Sequence, residues 1–398
     1  MFRKYSPFEH KSKSDEEIVA QVNQFATIAS AMWMTVVGSL GILFMPLIVS
    51  GIIDRLSFSE QQAGYIAAAE MAGVAIMSGS GVIWMRRIDW VVVSFLAIVV
   101  LVVSNLFSAL MTSFEGMFLF RFLVGASSGV LLAIGLACQN DSKDASRIFG
   151  YWVACQMTVS TVGYLSLPII RSVWGISGLF MAFALISITA IVSIYFMPRR
   201  GLTKASAGTS KILTDKRNIL ALFGALLFFM AQGGIWAFLE ELGNSSQLTT
   251  TEISFALAVS SYFGIVGGLA RNWVENLVGI LGPFYCVVVG ELLMLVLFAQ
   301  DASNVTYVLA ACMLQFFWAM GMASLLAGLN IIDDSGRLIL LMMASAKTGY
   351  SLGPALMGWL ISDDDYTIML VTWGVFVAFG ISTCGFLVNQ KTRHNHEV

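Results

Sequence analysis

Four charged residues lie well inside long apolar stretches of the sequence: Glu70, Arg121, Glu291 and Lys347. A charge in hydrocarbon costs several kcal/mol unless it lines a cavity or meets a partner, so each one is a functional candidate. A carboxylate can bind and release a proton, and a cation can hold an anionic group. All three histidines lie near the chain ends. Any proton carried within the apolar stretches therefore has to be carried by a carboxylate.

Glu70 and Arg121 are placed to reach each other. Glu70 lies about nine residues into its apolar stretch, roughly 14 Å deep, and Arg121 about five residues into its own, roughly 8 Å deep. Two interpretations stay open. The pair is either a proton-titratable site, in which protonation of Glu70 frees Arg121 to bind an anion, or a permanent structural ion pair. We predict proton coupling at Glu70 and substrate contact at Arg121.

The other two intramembrane charges have different surroundings. Lys347 shares a helix face with Ser351 and Pro354, and a desolvated lysine suits anion binding or a charge switch. Its structural alternative is a lysine paired with a nearby carboxylate. Glu291 lies in the middle of an apolar stretch beside Gly290, which favours a protonated or hydrogen-bonded structural role. We predict that Lys347 contacts substrate.

Polar and aromatic residues recur at helical spacing in two stretches. Gln232, Trp236 and Glu240 follow at i, i+4 and i+8, which places them on one stripe of one helix, and Gln315 precedes Trp318 by three. Cavities for organic solutes are mostly apolar with a few placed polar groups. We predict Gln232, Trp236, Gln315 and Trp318 as substrate-binding residues and Glu240 as a second proton-coupling candidate. The alternative is packing against helices or lipid.

The elements that position these residues are membrane-spanning helices. Hydrophobic residues make up 58% of the chain, charged residues 12%, and the mean hydropathy is +0.81. Ordinary globular chains carry about 25% charged residues, so a soluble protein is excluded. At about 20 apolar residues per helix, the chain holds twelve spans. The predicted spans are 25–53, 61–85, 90–112, 116–138, 148–170, 178–197, 218–240, 252–271, 277–299, 305–331, 338–361 and 366–389.

A basic polar stretch, Pro198–Arg217, divides the spans into two sets of six. The halves echo each other, because the fifth span of each carries a Gly/Pro element, at Gly163–Pro168 and Gly349–Gly358. Such duplication is typical of transporters built from repeats. The predicted organisation is an N-terminal tail (1–24), a six-helix bundle (25–197), a linker (198–217), a second six-helix bundle (218–390) and a C-terminal tail (391–398).

The charge distribution predicts the orientation. If both termini are cytoplasmic, 18 of the 22 Lys and Arg residues fall on the inner side, whereas the outer loops hold 2, Arg55 and Arg171. Glycines four apart, Gly125 with Gly129 and Gly264 with Gly268, predict surfaces where helices approach closely.

Over its whole length the layout resembles the major facilitator superfamily. Leu119–Gly125 is similar to the Arg, three residues, Gly pattern of the family's fourth span, and Gly353–Pro354 is similar to its eleventh. The loop after the second span keeps Gly81 and Arg87 but lacks the Asp at its usual place. The resemblance implies an all-α membrane protein of twelve transmembrane helices in two pseudo-symmetric bundles. It also implies that spans 2, 4 and 11 border a central cavity.

We therefore expect a proton-coupled secondary transporter that moves a small, anionic organic solute by alternating access. A drug or secondary-metabolite efflux antiporter is the alternative within transport, and a transport-inactive membrane sensor is the alternative of another class. We expect no enzyme activity, no cofactor or metal and no nucleic-acid partner. The expected partners are the solute, protons and the lipid bilayer, and the expected setting is a monomer in a bacterial inner membrane.

Overall fold

The chain is helical throughout most of its length. The computed structural model describes residues 15–85, 87–202, 215–298, 303–333, 337–362 and 365–397. The helices are α1 (Asp15–Val22), α2 (Phe25–Gly38), α3 (Leu40–Leu43), α4 (Met45–Leu56), α5 (Glu60–Trp84), α6 (Trp90–Ser108), α7 (Phe114–Asn140), α8 (Ala145–Thr189), α9 (Ile191–Ile194), α10 (Lys216–Ala237), α11 (Leu239–Ser245), α12 (Thr250–Val278), α13 (Gly282–Phe298), α14 (Asn304–Ile332), α15 (Arg337–Leu360) and α16 (Thr367–Glu397). Within these ranges the β-structure consists of one isolated bridge, between Ser362 and Asp365.

Every predicted span overlaps one or more of these helices, which confirms the all-α fold class. Helices α2 to α4 together form the first span, α8 and α9 carry the fifth and sixth, and α10 continues through α11 in the seventh. In the described part of the chain, seven helical segments are long and apolar enough to cross a membrane on their own. Phe25–Gly38 and Gly282–Phe298 are shorter apolar helices.

The fifth and sixth spans join with almost no loop. The sequence predicts a connection at 171–177, but helical backbone angles break only at Gly175, with φ 67° and ψ −163°. This left-handed φ is favourable for glycine and strained for other residues. Before the break, the Nη1 of Arg171 donates a hydrogen bond of 3.1 Å to the Leu47 carbonyl of α4.

Asp89 fixes the start of α6. Its Oδ1 accepts hydrogen bonds from the backbone N–H groups of Val91 and Val92, at 2.9 and 3.3 Å, which caps the helix. Its Oδ2 accepts one from Arg199 Nη1 at 2.5 Å. Asp89 thus connects the start of the third span to the chain after the sixth span. Arg86 of the same loop lies outside the described residues.

By its internal contacts the chain divides into two compact units, 1–51 with 69–160 and 169–205, and 52–68 with 161–168 and 206–398. In the first unit the rings of Phe44 and Phe183 stack in the core, with centroids 5.9 Å apart. In the second unit Phe228 and Trp373 are fully buried. The domain division at linker 198–217 stays a prediction, and residues 203–214 of that linker lie outside the described ranges.

Candidate functional site

Glu70 of α5 and Arg121 of α7 form a buried ion pair. Their side chains are 1% and 0% exposed. The Arg121 Nε and Nη2 both donate to Glu70 Oε2, at 3.0 and 2.5 Å. A carboxylate that neutralises an arginine in this way keeps both charges tolerable inside a membrane span. The structure therefore brings together the two residues that the sequence placed within reach.

Two residues that the sequence analysis did not single out complete the surroundings of Arg121. Asn105 of α6 accepts a hydrogen bond from Arg121 Nη1 at 3.1 Å and donates from Nδ2 to the Leu101 carbonyl at 3.0 Å. The Phe180 ring of α8 lies 4.9 Å from Arg121 Cζ, in cation–π range. An amide in the otherwise apolar stretch 90–108 was the available signal for Asn105. Phe180 offered none among so many phenylalanines.

Glycines make room for the carboxyl. A Cβ at Gly41 of α3 would lie 1.7 Å from Glu70 Oε1, and one at Gly125 of α7 would lie 1.8 Å from the Glu70 carbonyl oxygen. Both distances are far inside van der Waals contact, so neither position admits a side chain without movement. The predicted close approach at Gly125 is confirmed, and it brings α5 and α7 together at the ion pair.

A small cavity borders Arg121 on the side of α2, α3, α6 and α8. Its polar lining comes from Asn105, Arg121, Ser128 and Ser187, and Gly41 contributes backbone. The cavity has the size of a water molecule, and it offers the two to four polar partners that a buried water needs. Among the described residues, Glu70 Oε1 has no hydrogen-bond partner. The guanidinium thus lies beside a small, largely apolar space as well as beside the carboxylate.

In the second unit, Gln232 of α10 is bound to Glu291 rather than left facing a cavity. Gln232 Nε2 donates to Glu291 Oε1 at 2.8 Å, and both side chains are buried. Glu291 is therefore hydrogen-bonded, and its structural role stays a prediction. Nearby, the Trp318 indole N–H of α14 donates to the Tyr350 hydroxyl of α15. Tyr350 is a third residue that the sequence analysis did not identify.

The stripe predicted from Gln232 through Trp236 to Glu240 does not run along one helix. Helix α10 ends at Ala237, Phe238 leaves helical geometry with φ −101° and ψ 11°, and Glu240 belongs to α11. That part of the prediction was wrong, since the backbone bends between the last two residues. Trp236 packs edge-on against Tyr164, with ring centroids 6.4 Å apart, and Glu240 is buried.

The remaining two candidates are half-buried. Gln315 lies on α14, where its backbone carbonyl and the Trp318 ring both approach Gly264 of α12. Lys347 lies on α15, one turn before Ser351, whose hydroxyl donates to the Ala68 carbonyl at 3.3 Å. The other glycine prediction for α12 was wrong in position. A Cβ at Gly268 would meet nothing within 4 Å, whereas one at Gly267 would lie 2.0 Å from the Phe316 carbonyl oxygen.

The helices and the charges buried within them define a class, that of multi-pass membrane proteins with polar sites inside their spans. The sequence model of the Major Facilitator Superfamily matches residues 25–335, and the chain belongs to that superfamily. It is accordingly a multi-pass membrane transporter of small solutes. No curated protein matches the chain by sequence.

Solved structures show the same fold at low sequence identity. The nucleoside transporter NupG in its D323A form aligns with a TM-score of 0.73 at 14% identity, covering 94% of this chain and 99% of that one. NupG itself aligns with a TM-score of 0.70 at 16% identity, with the same coverage. A bacterial homologue of the human lysosomal transporter Spinster, inward-facing and unoccupied, aligns with a TM-score of 0.66 at 13% identity. The alignment covers 96% of this chain and 99% of that one.

Proposed function

We propose that this transporter couples proton movement to the passage of a small anionic organic solute by alternating access. The observation that carries the proposal is the fully buried Glu70–Arg121 pair. Protonation of Glu70 removes the negative charge that holds Nε and Nη2 of Arg121. The guanidinium then keeps only neutral hydrogen-bond acceptors and has an uncompensated charge, a state that binding of an anion or a helix movement relieves. Proton binding and solute binding are thereby linked at one residue.

The second-half residues would supply the remaining contacts. Lys347 provides a second positive charge, Gln315 an amide, and Trp236 and Trp318 indole groups within apolar surroundings. Gln232 is bound to Glu291 and would have to exchange that partner for the solute. Glu240, buried on α11, is the second candidate for proton transfer.

Reconstituted transport tests the proposal. Purified protein in proteoliposomes would be given a panel of labelled carboxylates, phosphates, neutral solutes, organic cations and, in view of the NupG fold, nucleosides. We expect accumulation of a carboxylate or another anion when a pH gradient is imposed, and its collapse with a protonophore. Accumulation only of cations in the opposite direction would identify an efflux antiporter instead. Absence of flux for every class, with intact folding, would favour a transport-inactive sensor.

Lys347→Ala is expected to raise the apparent KM for an anionic solute about tenfold or more. A hydrogen bond to a charged group contributes about 1.5–3 kcal/mol, and about 1.4 kcal/mol is a factor of ten in affinity. Concentration-dependent uptake measures the effect, with Lys347→Arg as the control that keeps the charge. An unchanged KM in Lys347→Ala would contradict substrate contact at this residue.

We also propose that the protein is a monomer of the bacterial inner membrane with both termini cytoplasmic. Glu115→Cys and Ser210→Cys, each in a background without the five natural cysteines, are expected to react with a membrane-impermeant maleimide from opposite sides. Glu115→Cys is expected to label in intact cells, and Ser210→Cys, which lies outside the described residues, only after the membrane is opened. Labelling of Ser210→Cys in intact cells would contradict the orientation.

A further inference from the structure

Glu291 of α13 is a second fully buried carboxyl, and its surroundings differ from those of Glu70. Its side chain is 0% exposed in the middle of an apolar helix. Oε1 accepts the Gln232 N–H at 2.8 Å, and Oε2 has no hydrogen-bond partner among the described residues. Among those residues, no Lys or Arg forms an ion pair with Glu291. Glu70, in contrast, accepts two hydrogen bonds from Arg121.

The hydrogen-bond partner of Glu291 is neutral. Gln232 reaches it from α10, and Tyr350 of α15 packs against Gly233, the residue after Gln232. From the described parts of α12, α14 and α16, which also pack on α13, no hydrogen bond or ion pair arrives, and the α14 contact beside it is the Phe317 ring against Gly290. One amide cannot offset the loss of hydration of an ionised carboxylate, so the neutral acid is the stable form here.

We infer that Glu291 and Gln232 form a proton-binding site in the second half, in which Glu291 holds a proton on Oε2 while Oε1 accepts the Gln232 amide. In this conformation the two buried carboxyls have opposite protonation states, because Glu70 is ionised against Arg121 and Glu291 is protonated. Environments that separate two carboxyls in this way assign them different roles in proton transfer. The site itself stands apart from the proposed function, and only its part in transport rests on it.

Release of this proton is linked to the packing of α10. Gln232 is followed by Gly233 and Gly234, which lie against Tyr350 and Met357 of α15, and a Cβ at Gly353 would lie 2.3 Å from the Met230 carbonyl oxygen. A movement of α10 against α15 would carry Gln232 away from Glu291 and admit water to the carboxyl. Once it does, the proton passes from Oε2 to water, and the resulting carboxylate remains hydrated. The proton is thus held or released according to how α10 packs.

Infrared spectroscopy of the purified protein in lipid tests the site without any transported solute. The C=O stretch of a carboxylic acid is separate from the bands of a carboxylate. At neutral pH, Glu291→Gln is expected to lose acid-band intensity equal to one carboxyl per protein, whereas Glu70→Gln is expected to lose none. In the wild type this intensity is expected to fall reversibly as the pH is raised, while the protein stays folded. Gln232→Met, which keeps the length but removes the donor, is expected to shift the band to higher frequency.

Two results would overturn the inference. An acid band unchanged by Glu291→Gln would mean that Glu291 is ionised. A Glu291 band that persists at every pH at which the protein stays folded would mean a permanent structural acid that never exchanges its proton. Size-exclusion profiles confirm that each variant is folded, and Gln232→Met provides an independent readout if Glu291→Gln is unstable. Because no flux is measured, failure here is distinguishable from failure of proton-coupled transport.

Discussion

Glu70→Gln is expected to abolish proton-driven accumulation of the transported solute while leaving solute exchange in place. Glutamine keeps the size of the side chain and an oxygen that accepts from Arg121, but it cannot take up or release a proton. The flux driven by a pH gradient is expected to fall at least tenfold, to the level seen with a protonophore. Counterflow in preloaded proteoliposomes, which needs no net proton movement, is expected to persist.

The matched control is Glu70→Asp, which retains a titratable carboxyl and is expected to keep part of the gradient-driven flux. Neutralising one member of a buried pair costs about 3–5 kcal/mol of stability, so folding of each variant has to be verified in parallel. Gradient-driven accumulation at the wild-type level by Glu70→Gln would contradict the proposal. It would move the proton role to Glu240 or Glu291, or remove proton coupling.

Gly125→Ala is expected to cause the largest structural loss of any single methyl group added to these helices. The new Cβ would lie 1.8 Å from the Glu70 carbonyl oxygen and 2.9 Å from its Cα, so α5 and α7 have to separate. Overpacking costs about 1–3 kcal/mol or more, and separation also stretches the Glu70–Arg121 contacts. We expect a Tm several degrees lower in detergent and a strong loss of transport.

Gly268→Ala is the matched control, since it adds the same methyl group to a glycine of α12 where nothing lies within 4 Å. Its Tm is expected to equal or exceed that of the wild type, because alanine favours helix over glycine by about 1 kcal/mol. Equal Tm values for Gly125→Ala and the wild type would contradict the close approach of α5 and α7.

Hydropathy determined most of the fold in advance, because each span needs the same run of apolar residues wherever it lies in the bundle. The Glu70–Arg121 pair was also predictable, since two opposite charges at similar depth in apolar helices have strong reason to meet. The rotation of each helix about its own axis could not be predicted from hydropathy. It decides that Gln232 meets Glu291, that Asn105 meets Arg121, and that Gly267 rather than Gly268 faces α14.

Backbone breaks were equally hard to predict. The end of α10 at Ala237 has no proline or charge to mark it, so a stripe that is continuous in sequence is divided between two helices. The connection after the fifth span was predicted too long for a related reason. Hydropathy dips at Arg171 and Ser172, but helical hydrogen bonding does not follow hydropathy, and only Gly175 leaves the helix.

The single-glycine connection at Gly175 has a consequence for biogenesis. Two spans joined by so short a connection leave little chain between them, so we expect the fifth and sixth spans to enter the lipid together, as a hairpin. In the proposed orientation, Arg171, one turn before the connection, has to cross the bilayer. Its guanidinium becomes bound to the Leu47 carbonyl once α4 is in place. The first span therefore acts as an intramolecular assembly partner for a hairpin that is synthesised more than a hundred residues later.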